Sequence, residues 1–362
     1  MKILFVCQNL NSGGAEKVIS ILSNHFVSKN EVNILMISNN ASEPFYELDP
    51  RIVVKSIFNI ENVNELSKIA KYKAIVKYLK LNHPDVIIPF LDFVTIYTYY
   101  ASRKLKGTKL IVSERCDPTK VSKMESLIKK HIYKNADGCV FQTEDAKAFY
   151  GNKLKAYRII PNPVSLSTVG EFDYYHLDRK KEIVMVGSKK IEKNRLMAYK
   201  AFKMFVSEKQ FEDYILRIYG ETTEEEDSDV LNKLGIKDKV FFMGRRNTWH
   251  QEAIDSTAFI LTSDYEGMPN ALLEAACLKI PCISTDCPVG GPRFILKNGK
   301  KGILVPTNDF ASLANELKKI ASDKTLQNQY SDANSTTLQE FDKEAICNLW
   351  DLFIEEIING WF

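Results

Sequence analysis

The sequence has no long apolar run, no paired cysteines and no internal repeat. None of its apolar stretches approaches the roughly 20 residues that a membrane-spanning helix requires. Its seven cysteines are scattered without a C-x-x-C pair, and the evenly spaced Cys277, Cys282 and Cys287 fall on a predicted helix, strand and loop with no histidine nearby. We therefore expect core thiols in a reducing compartment, and neither a disulfide framework nor a metal site.

A G-x-G-x-x-G motif is also missing, which argues against a nicotinamide dehydrogenase. The sequence has a single Asp-x-Asp, Asp227-Ser228-Asp229. It lies in the acidic run Glu221–Asp229, which we predict to be a solvated connection between two strands. We therefore expect no metal ion and no other bound cofactor.

The net charge is only +3, but the charges are unevenly distributed. Residues 1–175 carry 24 Lys and Arg against 17 Asp and Glu, whereas the remaining residues carry 25 against 29. The basic first half predicts an anionic partner for that part of the chain, which is either a membrane surface or a phosphorylated acceptor. We expect no nucleic-acid partner.

Short apolar runs alternate with helical stretches along the chain, which is typical of a parallel sheet covered by helices. A length of 362 residues fits two domains of ordinary size. The segment 165–181 is polar and aperiodic, so we place the boundary there, with residues 1–170 in the first domain and 171–342 in the second. Helices are predicted at 309–322, 326–338 and 343–358.

The stretch 258–284 has the clearest local pattern, in which an apolar run, a polar turn, a helix and a second apolar run follow one another. Pro269 suits the first position of the helix, because its missing N–H would have no intrahelical partner. The first amides of this helix, at Asn270, Ala271 and Leu272, then lie at the positive end of the helix dipole and at the carboxyl edge of a parallel sheet. This geometry predicts a binding site for a phosphate group.

Two carboxylates frame this helix start, since Glu266 precedes it and Glu274 lies inside it. On one unbroken helix their spacing would set them roughly 80° apart, but the turn at 267–269 lets Glu266 fold over the helix mouth. Both side chains could then line one cleft. The alternative is that Glu266 only complements the helix dipole and that Glu274 is a solvated helix residue.

Two loops of the first half follow predicted strands, where α/β folds keep functional groups. The adjacent Gly13 and Gly14 lead from the first strand into a helix, so the backbone there either lets a ligand approach closely or only makes a tight turn. Arg115 follows another strand and cannot act as a base. We predict that it holds a phosphate or carboxylate, or that it pairs with Glu114 or Asp117.

The glutamate pair with its Gly-Met-Pro-Asn insert, together with the segment DCPVGGPR at 286–293, resembles the donor-site signature of glycosyltransferase family 4. The resemblance implies the GT-B fold, an α/β architecture of two Rossmann-like parallel-sheet domains facing a central cleft, with residues 343–362 packing back on the first domain. It implies an enzyme that moves a hexosyl or N-acetylhexosaminyl group from a nucleotide diphosphate sugar, with a UDP-sugar as the expected donor. Transfer would retain the anomeric configuration and need no metal.

The resemblance also assigns roles by position. Glu266 would meet the transferred sugar, Glu274 would hold the ribose hydroxyls, and Lys193 would bind the donor diphosphate. Gly13 and Gly14 would face the donor phosphates and sugar across the cleft. The other residues of the implied donor site are Ser188, Lys189, Gly244, Arg245, Gly267, Met268, Pro269, Asn270, Ala271 and Leu272.

Two positions depart from the family pattern. Relatives carry Arg at the position of Ser188, and Lys189 or Lys190 would have to supply the missing charge, although Lys does not reproduce the fork-shaped contact of Arg with a phosphate. Arg115 stands where many relatives carry a His near the reacting sugar. These departures keep open a second hypothesis, a GT-B protein that does not transfer sugar, such as a nucleotide-sugar epimerase or a sugar-nucleotide-binding relic.

Two lysine-rich helices are predicted in the basic half, at 64–82 and at 122–135. The first has Ile69 in its apolar seam, and the second carries Lys129 among its basic residues. Each is either an ordinary surface helix or a basic amphipathic helix that docks on anionic lipid. With the resemblance, this charge favours a lipid-linked glycan as acceptor, in surface polysaccharide or glycoconjugate synthesis. We expect a cytoplasmic protein, peripheral on the inner face of the cell membrane.

Overall fold

The computed structural model describes residues 1–38, 43–63, 65–165, 177–221, 223–246 and 248–361. The chain forms two compact units, residues 1–163 with 342–362, and residues 164–341. The predicted boundary between residues 170 and 171 lies outside the described residues, and so does residue 64 at the start of a predicted helix. Each unit has one parallel sheet with helices packed against it, which confirms the predicted α/β class.

In the first unit, strands and helices alternate from the start of the chain. The sheet order is β3-β2-β1-β4-β5-β6-β7, and all pairs are parallel. The order reverses between β1 and β4, which makes the crevice outside their carboxyl ends the switch point of this sheet. The sequence does not predict β7, a three-residue edge strand. The bounds are β1 Lys2–Cys7, α1 Gly14–Phe26, β2 Glu31–Met36, β3 Val53–Ser56, α2 Ile57–Glu61, α3 Lys68–Asn82, β4 Val86–Pro89, α4 Asp92–Ser102, β5 Lys109–Ser113, α5 Lys123–Asn135, β6 Gly138–Phe141, α6 Glu144–Ala148 and β7 Tyr157–Ile159.

The second unit repeats this plan with the sheet order β10-β9-β8-β11-β12-β13, again all parallel. Its switch point lies at the carboxyl ends of β8 and β11. The bounds are β8 Lys180–Val186, α7 Arg195–Val206, β9 Ile215–Tyr219, α8 Glu224–Leu234, β10 Val240–Gly244, α9 Trp249–Ala253, β11 Ser256–Leu261, α10 Asn270–Cys277, β12 Cys282–Thr285, α11 Gly291–Ile295, β13 Ile303–Val305, α12 Phe310–Ser322, α13 Lys324–Ala333 and α14 Thr337–Glu340.

The last helix, α15 (Lys343–Asn359), belongs to the first unit. Its buried Trp350 and Phe353 share a core with α1 and with one face of the sheet. The helix also approaches β6 closely, because a Cβ placed on Gly138 would lie 2.8 Å from Cδ1 of Ile357 and 2.9 Å from Cζ of Phe353. Helices α2 to α5 cover the opposite face of the sheet. Among the described residues, no helix is both long and apolar enough to cross a membrane.

Two stretches of the second unit differ from the prediction. Most of the acidic run is part of α8 rather than a solvated connection, because Asp227 lies 3.1 Å from Nε of Arg195 and accepts a 2.6 Å hydrogen bond from the hydroxyl of Tyr199. The single helix predicted at 326–338 is divided into α13 and α14. The break is at Asn334, whose side-chain amide donates to the carbonyl oxygen of Lys301 at 2.7 Å.

The two lysine-rich helices also differ from their predicted patterns. Ile69 is exposed on α3, whose buried face is formed by other residues, including Tyr78 and Leu79. Lys129 is on the buried side of α5, and its ammonium lies 2.6 Å from Asp92 and 2.8 Å from Glu114. Lys129 therefore contributes an internal ion pair and no surface charge.

Candidate functional site

Two neighbouring loops meet at the switch point of the second sheet. Residues 187–194 form the β8 loop and residues 262–269 form the β11 loop, each leaving the carboxyl end of its strand. The amide of Asp264 donates to the carbonyl oxygen of Glu192 at 2.8 Å, and the side-chain amide of Asn194 donates to Oδ1 of Asp264, also at 2.8 Å. These bonds hold the two loops together.

The central contact of the site joins Lys193 of the β8 loop to Glu266 of the β11 loop. The distance between Nζ of Lys193 and Oε1 of Glu266 is 2.6 Å, and both side chains are largely buried. The hydroxyl of Ser263 donates to the same carboxylate oxygen at 2.6 Å, and the hydroxyl of Thr262 donates to the carbonyl oxygen of Lys193 at 2.9 Å. The structure thus brings together two residues that are 73 positions apart in the sequence.

The ammonium of Lys193 remains charged in this environment. Burial lowers its pKa, but the neighbouring Glu266 carboxylate more than offsets this effect, and the pKa lies above its ordinary value. A fixed positive charge at the carboxyl edge of a parallel sheet can interact with an anionic ligand.

The loop after β12 supports Glu266 from its main chain. The amide of Glu266 donates to the carbonyl oxygen of Pro288 at 2.8 Å, and the amide of Val289 donates back to the carbonyl oxygen of Glu266 at 3.1 Å. A Cβ on Gly291 would lie only 1.8 Å from the carbonyl oxygen of Gly267, so this contact excludes any side chain at position 291. Part of the segment 286–293 therefore holds the β11 loop in place.

Helix α10 begins at Asn270, one residue later than predicted, and Pro269 is its N-cap. Pro269 provides no side-chain cap for the amides of the first turn, which belong to Asn270, Ala271 and Leu272. Met268 and Leu272 have buried side chains, and Leu272 packs fully into the core. A ligand at this helix start would therefore meet main-chain groups, where the helix dipole favours negative charge.

Glu274 is buried on α10, with 6% of its surface exposed, which contradicts the alternative of a solvated helix residue. Its Oε2 accepts a hydrogen bond of 3.2 Å from the indole N–H of Trp249. The Trp249 ring is itself buried and lies beside the rings of Tyr219 and Phe259, with centroid distances of 6.3 and 6.0 Å. Trp249 thus fixes one oxygen of the Glu274 carboxylate.

Four further residues of the predicted donor site lie at or directly after the carboxyl ends of strands of the same sheet. Ser188 is partly buried in the β8 loop, and Lys189 beside it is exposed. Gly244 ends β10, where its carbonyl oxygen accepts a hydrogen bond of 3.0 Å from the amide of Gly220. Arg245 pairs with Glu221, so its charge is directed toward the segment after β9.

Gly13 and Gly14 lie at the start of α1 in the first unit. Gly13 is the N-cap of the helix, and a Cβ on it would lie 1.9 Å from Oε2 of Glu16. The Glu16 carboxylate therefore folds back over the helix start, where the helix dipole stabilises it. Because these atoms end a flexible side chain, the contact does not by itself require a glycine at position 13.

Arg115 lies in the first unit, between the rings of Phe90 and Trp350, at 4.8 and 5.6 Å from their centroids. Its Nη1 donates to Oδ1 of Asn162 at 2.8 Å. Burial lowers its pKa to about 10, so the guanidinium is charged at neutral pH. Among the ion pairs of the described residues none joins Arg115 to an acidic side chain, so the predicted pairing with its two sequence neighbours is wrong.

The reason is that both acidic neighbours of Arg115 have other partners. Glu114 accepts hydrogen bonds from the main-chain amides of residues 115 and 116, from Tyr150, and contacts Lys129. Asp117 accepts from the amide and hydroxyl of Thr119 at 2.8 and 2.6 Å. The two carboxylates thus stabilise the loop through other partners, and the Arg115 guanidinium packs between the two aromatic rings.

Six of the seven cysteines are buried, and Cys116 is exposed. Burial raises the pKa of Cys277 and Cys282 far above the usual thiol range and that of Cys287 to about 12, so these three are protonated thiols. Within the described ranges, no group of three or more His, Cys, Asp or Glu side chains could hold a metal ion.

Sequence reasoning missed Trp249, Thr262 and Ser263. The last two follow β11 directly, and their polar character at the carboxyl end of an apolar strand is a signal that could have been used. Trp249 has no comparable signal, because it lies 25 positions from the carboxylate that it contacts.

Comparison with known proteins gives a family match over the second unit and a full-length match to a curated relative. Residues 172–336 match the model of glycosyl transferases group 1. The chain is 27% identical over 366 residues to the GalNAc-alpha-(1->4)-GalNAc-alpha-(1->3)-diNAcBac-PP-undecaprenol alpha-1,4-N-acetyl-D-galactosaminyltransferase of Campylobacter jejuni, and the alignment covers 99% of this chain and 100% of that enzyme.

Two solved structures share the fold over almost the whole chain. HepE of Anabaena, in complex with UDP, has a TM-score of 0.79 at 16% identity and is matched over 98% of this chain and 100% of its own. Sucrose-phosphate synthase from Thermosynechococcus elongatus has a TM-score of 0.82 at 15% identity, with 99% and 100% covered. At these identities the likeness shows the two Rossmann-like domains and no shared substrate.

Proposed function

Because this chain is a glycosyltransferase of the group 1 type, with two Rossmann-like GT-B domains, we propose that it transfers a hexosyl or N-acetylhexosaminyl group from a UDP-sugar to a lipid-linked glycan. The transfer serves the synthesis of a surface polysaccharide or glycoconjugate and retains the anomeric configuration. The observation that carries the proposal is the Lys193–Glu266 ion pair at the switch point of the second sheet.

The choice of substrates is supported by the relatives. The Campylobacter jejuni enzyme is named for an undecaprenol-diphosphate glycan, and HepE was solved with UDP. The second unit, which matches the family model, carries the donor in this proposal, and the first unit binds the acceptor. The basic character of residues 1–175 suits an acceptor that ends in a diphosphate and a lipid.

In the donor site, the leaving diphosphate is stabilised by the ammonium of Lys193 and by the first amides of α10, at Asn270 to Leu272. Negative charge grows on the diphosphate as its bond to the sugar breaks, so groups that are already oriented toward it act mainly on the transition state. Glu274 holds the ribose hydroxyls, and the indole N–H of Trp249 orients its carboxylate. We propose that this arrangement needs no metal ion.

Glu266 lies against Lys193 and is proposed to contact the transferred sugar. In the reaction, the acceptor hydroxyl oxygen forms a bond to the anomeric carbon on the face that the diphosphate leaves, and the bond between that carbon and the diphosphate oxygen breaks. The hydroxyl proton passes to the departing diphosphate. No side chain is required as a covalent nucleophile.

The test is transfer of radiolabelled sugar from a panel of UDP-hexoses and UDP-N-acetylhexosamines to a polyprenyl-diphosphate glycan. We expect one donor to give product, and we expect Glu266→Ala to lower kcat by about 10²- to 10³-fold. Glu225→Ala is the matched control, because Glu225 is exposed on α8. If the Glu266 variant transferred sugar at the wild-type rate, the proposed role of Glu266 would be wrong.

The same experiment addresses the second candidate, a GT-B protein that does not transfer sugar. This candidate is favoured by Ser188, which leaves the β8 loop without the Arg that relatives carry there. It predicts UDP release without any acceptor, or UDP binding with no turnover for every donor of the panel. Acceptor-dependent product would eliminate it.

A further inference from the structure

Helix α5 exposes two large apolar side chains on the surface of the first unit. Met124 and Leu127 are each 71% exposed, and their spacing of three residues puts them on the same side of the helix. The opposite side of α5 is buried through Ile132 and Tyr133. Apolar side chains that are this exposed contribute nothing to the core. A pair of them on one side of a helix is typical of a surface that binds a partner.

Helix α4 lies beside α5 and extends this surface with aromatic side chains. Phe93 and Tyr100 of α4 are 38% and 46% exposed. The two helices are fastened by the ion pair between Lys129 and Asp92 and by the contact of 3.4 Å between the Tyr99 hydroxyl and Nε2 of His131. We call Phe93, Tyr100, Met124 and Leu127, with their basic neighbours, the α4–α5 surface.

The exposed charges around these apolar groups are mainly basic. Lys123, Lys130 and Lys134 lie on the same side of α5 as Leu127, because they are four, three and seven positions from it. Arg103, Lys104 and Lys106 are exposed directly after α4. These two helices have two acidic residues, of which Asp92 binds Lys129 and Glu125 is an exposed carboxylate in a capping box with Ser122. The surface therefore complements an anionic partner.

Two other helices of the unit provide a contrast. Helix α15 exposes Leu349 and Leu352 with the same spacing, but the charged side chains nearest to them in the sequence, Asp351 and Glu355, are acidic. Helix α3 has five lysines and no acidic residue, but its exposed apolar groups, Ile69 and Leu81, are at its two ends. Only the α4–α5 surface, among these three, joins paired apolar groups to positive charge.

We propose that the α4–α5 surface docks on a bilayer that contains anionic phospholipid. Met124 and Leu127 enter the boundary between headgroups and acyl chains, the rings of Phe93 and Tyr100 lie at the headgroup level, and the lysines bind lipid phosphates. The inference deepens the proposed function, because a lipid-linked acceptor is presented at such a bilayer. It also assigns the docking to α4 and α5 and not to the lysine-rich α3.

The test is co-sedimentation of the full chain with vesicles of phosphatidylcholine alone and of phosphatidylcholine mixed with phosphatidylglycerol. We expect binding to the mixed vesicles that is at least about tenfold stronger and that weakens with salt. Met124→Ser with Leu127→Ser should lower binding about tenfold. Lys123→Gln with Lys134→Gln should lower it about 25-fold, at about fivefold for each lysine.

The matched control is Leu349→Ser with Leu352→Ser, which removes an equally spaced exposed pair from an acidic helix and should leave binding unchanged. Equal binding of the wild type and the Met124/Leu127 variant would overturn the proposal. So would a loss of self-association in that variant without a change in vesicle binding, because the surface would then join two copies of the chain.

Transfer to a water-soluble acceptor with a short alkyl chain separates this inference from the proposed function. All four proteins should transfer equally to that acceptor, because none of the changes touches the donor site. Vesicle binding without transfer in the wild type would count against the function alone, and transfer without vesicle binding would count against the docking surface alone.

Discussion

The carbonyl oxygen of Gly267 and the α-carbon of Gly291 are so close that a Cβ on Gly291 would lie 1.8 Å from that oxygen. Because the obstacle is main chain, no side-chain movement can relieve it. The contact joins the β11 loop, which carries Glu266, to the helix that follows β12. Any side chain at position 291 must therefore displace the loop in front of α10.

Gly291→Ala is expected to destabilise the second unit by roughly 2 kcal/mol or more and to abolish UDP binding. Urea unfolding and calorimetric titration with UDP measure the two effects. Gly187→Ala is the control for stability, since its added Cβ would meet its nearest atom, Cγ of Lys193, at an ordinary 3.7 Å. Unchanged UDP affinity in the Gly291 variant would contradict the supporting role of this contact.

Trp249→Phe should weaken UDP binding by about threefold to tenfold, because it removes the N–H that orients Glu274 and keeps an aromatic ring in the core. Calorimetric titration with UDP gives the affinity, and a thermal melt shows whether the ring alone maintains the fold. The comparison variant is Glu274→Ala, which should lose UDP affinity. If it does and Trp249→Phe binds UDP as tightly as the wild type, the indole has no positioning role.

The overall architecture could be predicted from the sequence because the alternation of apolar runs and helices is a local signal. The family match over residues 172–336 includes the local motifs at 187–194 and 264–293, which can be identified without a structure. In the site, the positions of Lys193 and Glu266 on two loops after neighbouring strands follow from those motifs.

Contacts that depend on tertiary packing could not be predicted from the sequence. Lys129 looks like a surface charge in any sequence pattern, and only the approach of Asp92 and Glu114 makes its burial favourable. Arg115 stands next to two carboxylates in the sequence but packs between two aromatic rings, one of them on α15. The helix α8 forms in an acidic run because Arg195 and Tyr199 of α7 bind Asp227.

Gly138→Ala should destabilise the first unit by about 1–3 kcal/mol, because the added Cβ would overlap the side chains of Phe353 and Ile357 on α15. Urea unfolding of the single variant gives the cost. Adding Ile357→Val removes the atom nearest to the new Cβ, so the double variant should recover part of the loss. A stability equal to that of the wild type would show that α15 is not packed tightly against β6.

Acid should weaken the second unit partly through Glu340. Partial burial alone would raise the pKa of this carboxyl, but hydrogen bonds from Lys301, Thr336 and Lys297 outweigh burial and hold it at about 2. Since the folded pKa is below the usual value of about 4.3, the contribution of Glu340 to stability is present above that value and is lost as the pH falls toward 2.

Because one third of the Glu340 side chain is exposed, we expect this contribution to be only about 1–2 kcal/mol. Urea unfolding at about pH 5 and about pH 3 should show a smaller loss of stability for Glu340→Gln than for the wild type. An identical loss in both proteins would assign the acid sensitivity to other groups.

The central claim is that the Lys193 ammonium, held beside Glu266, stabilises a leaving diphosphate. The most direct measurement is kcat for sugar transfer by Lys193→Ala, compared with Lys233→Ala, which removes an exposed lysine of α8. The account predicts a loss of about 10²- to 10³-fold for the first variant and wild-type kcat for the second. The Lys193 variant should melt at a lower temperature but remain folded at the assay temperature, because Glu266 loses its partner. Wild-type kcat in a folded Lys193→Ala protein would contradict the account.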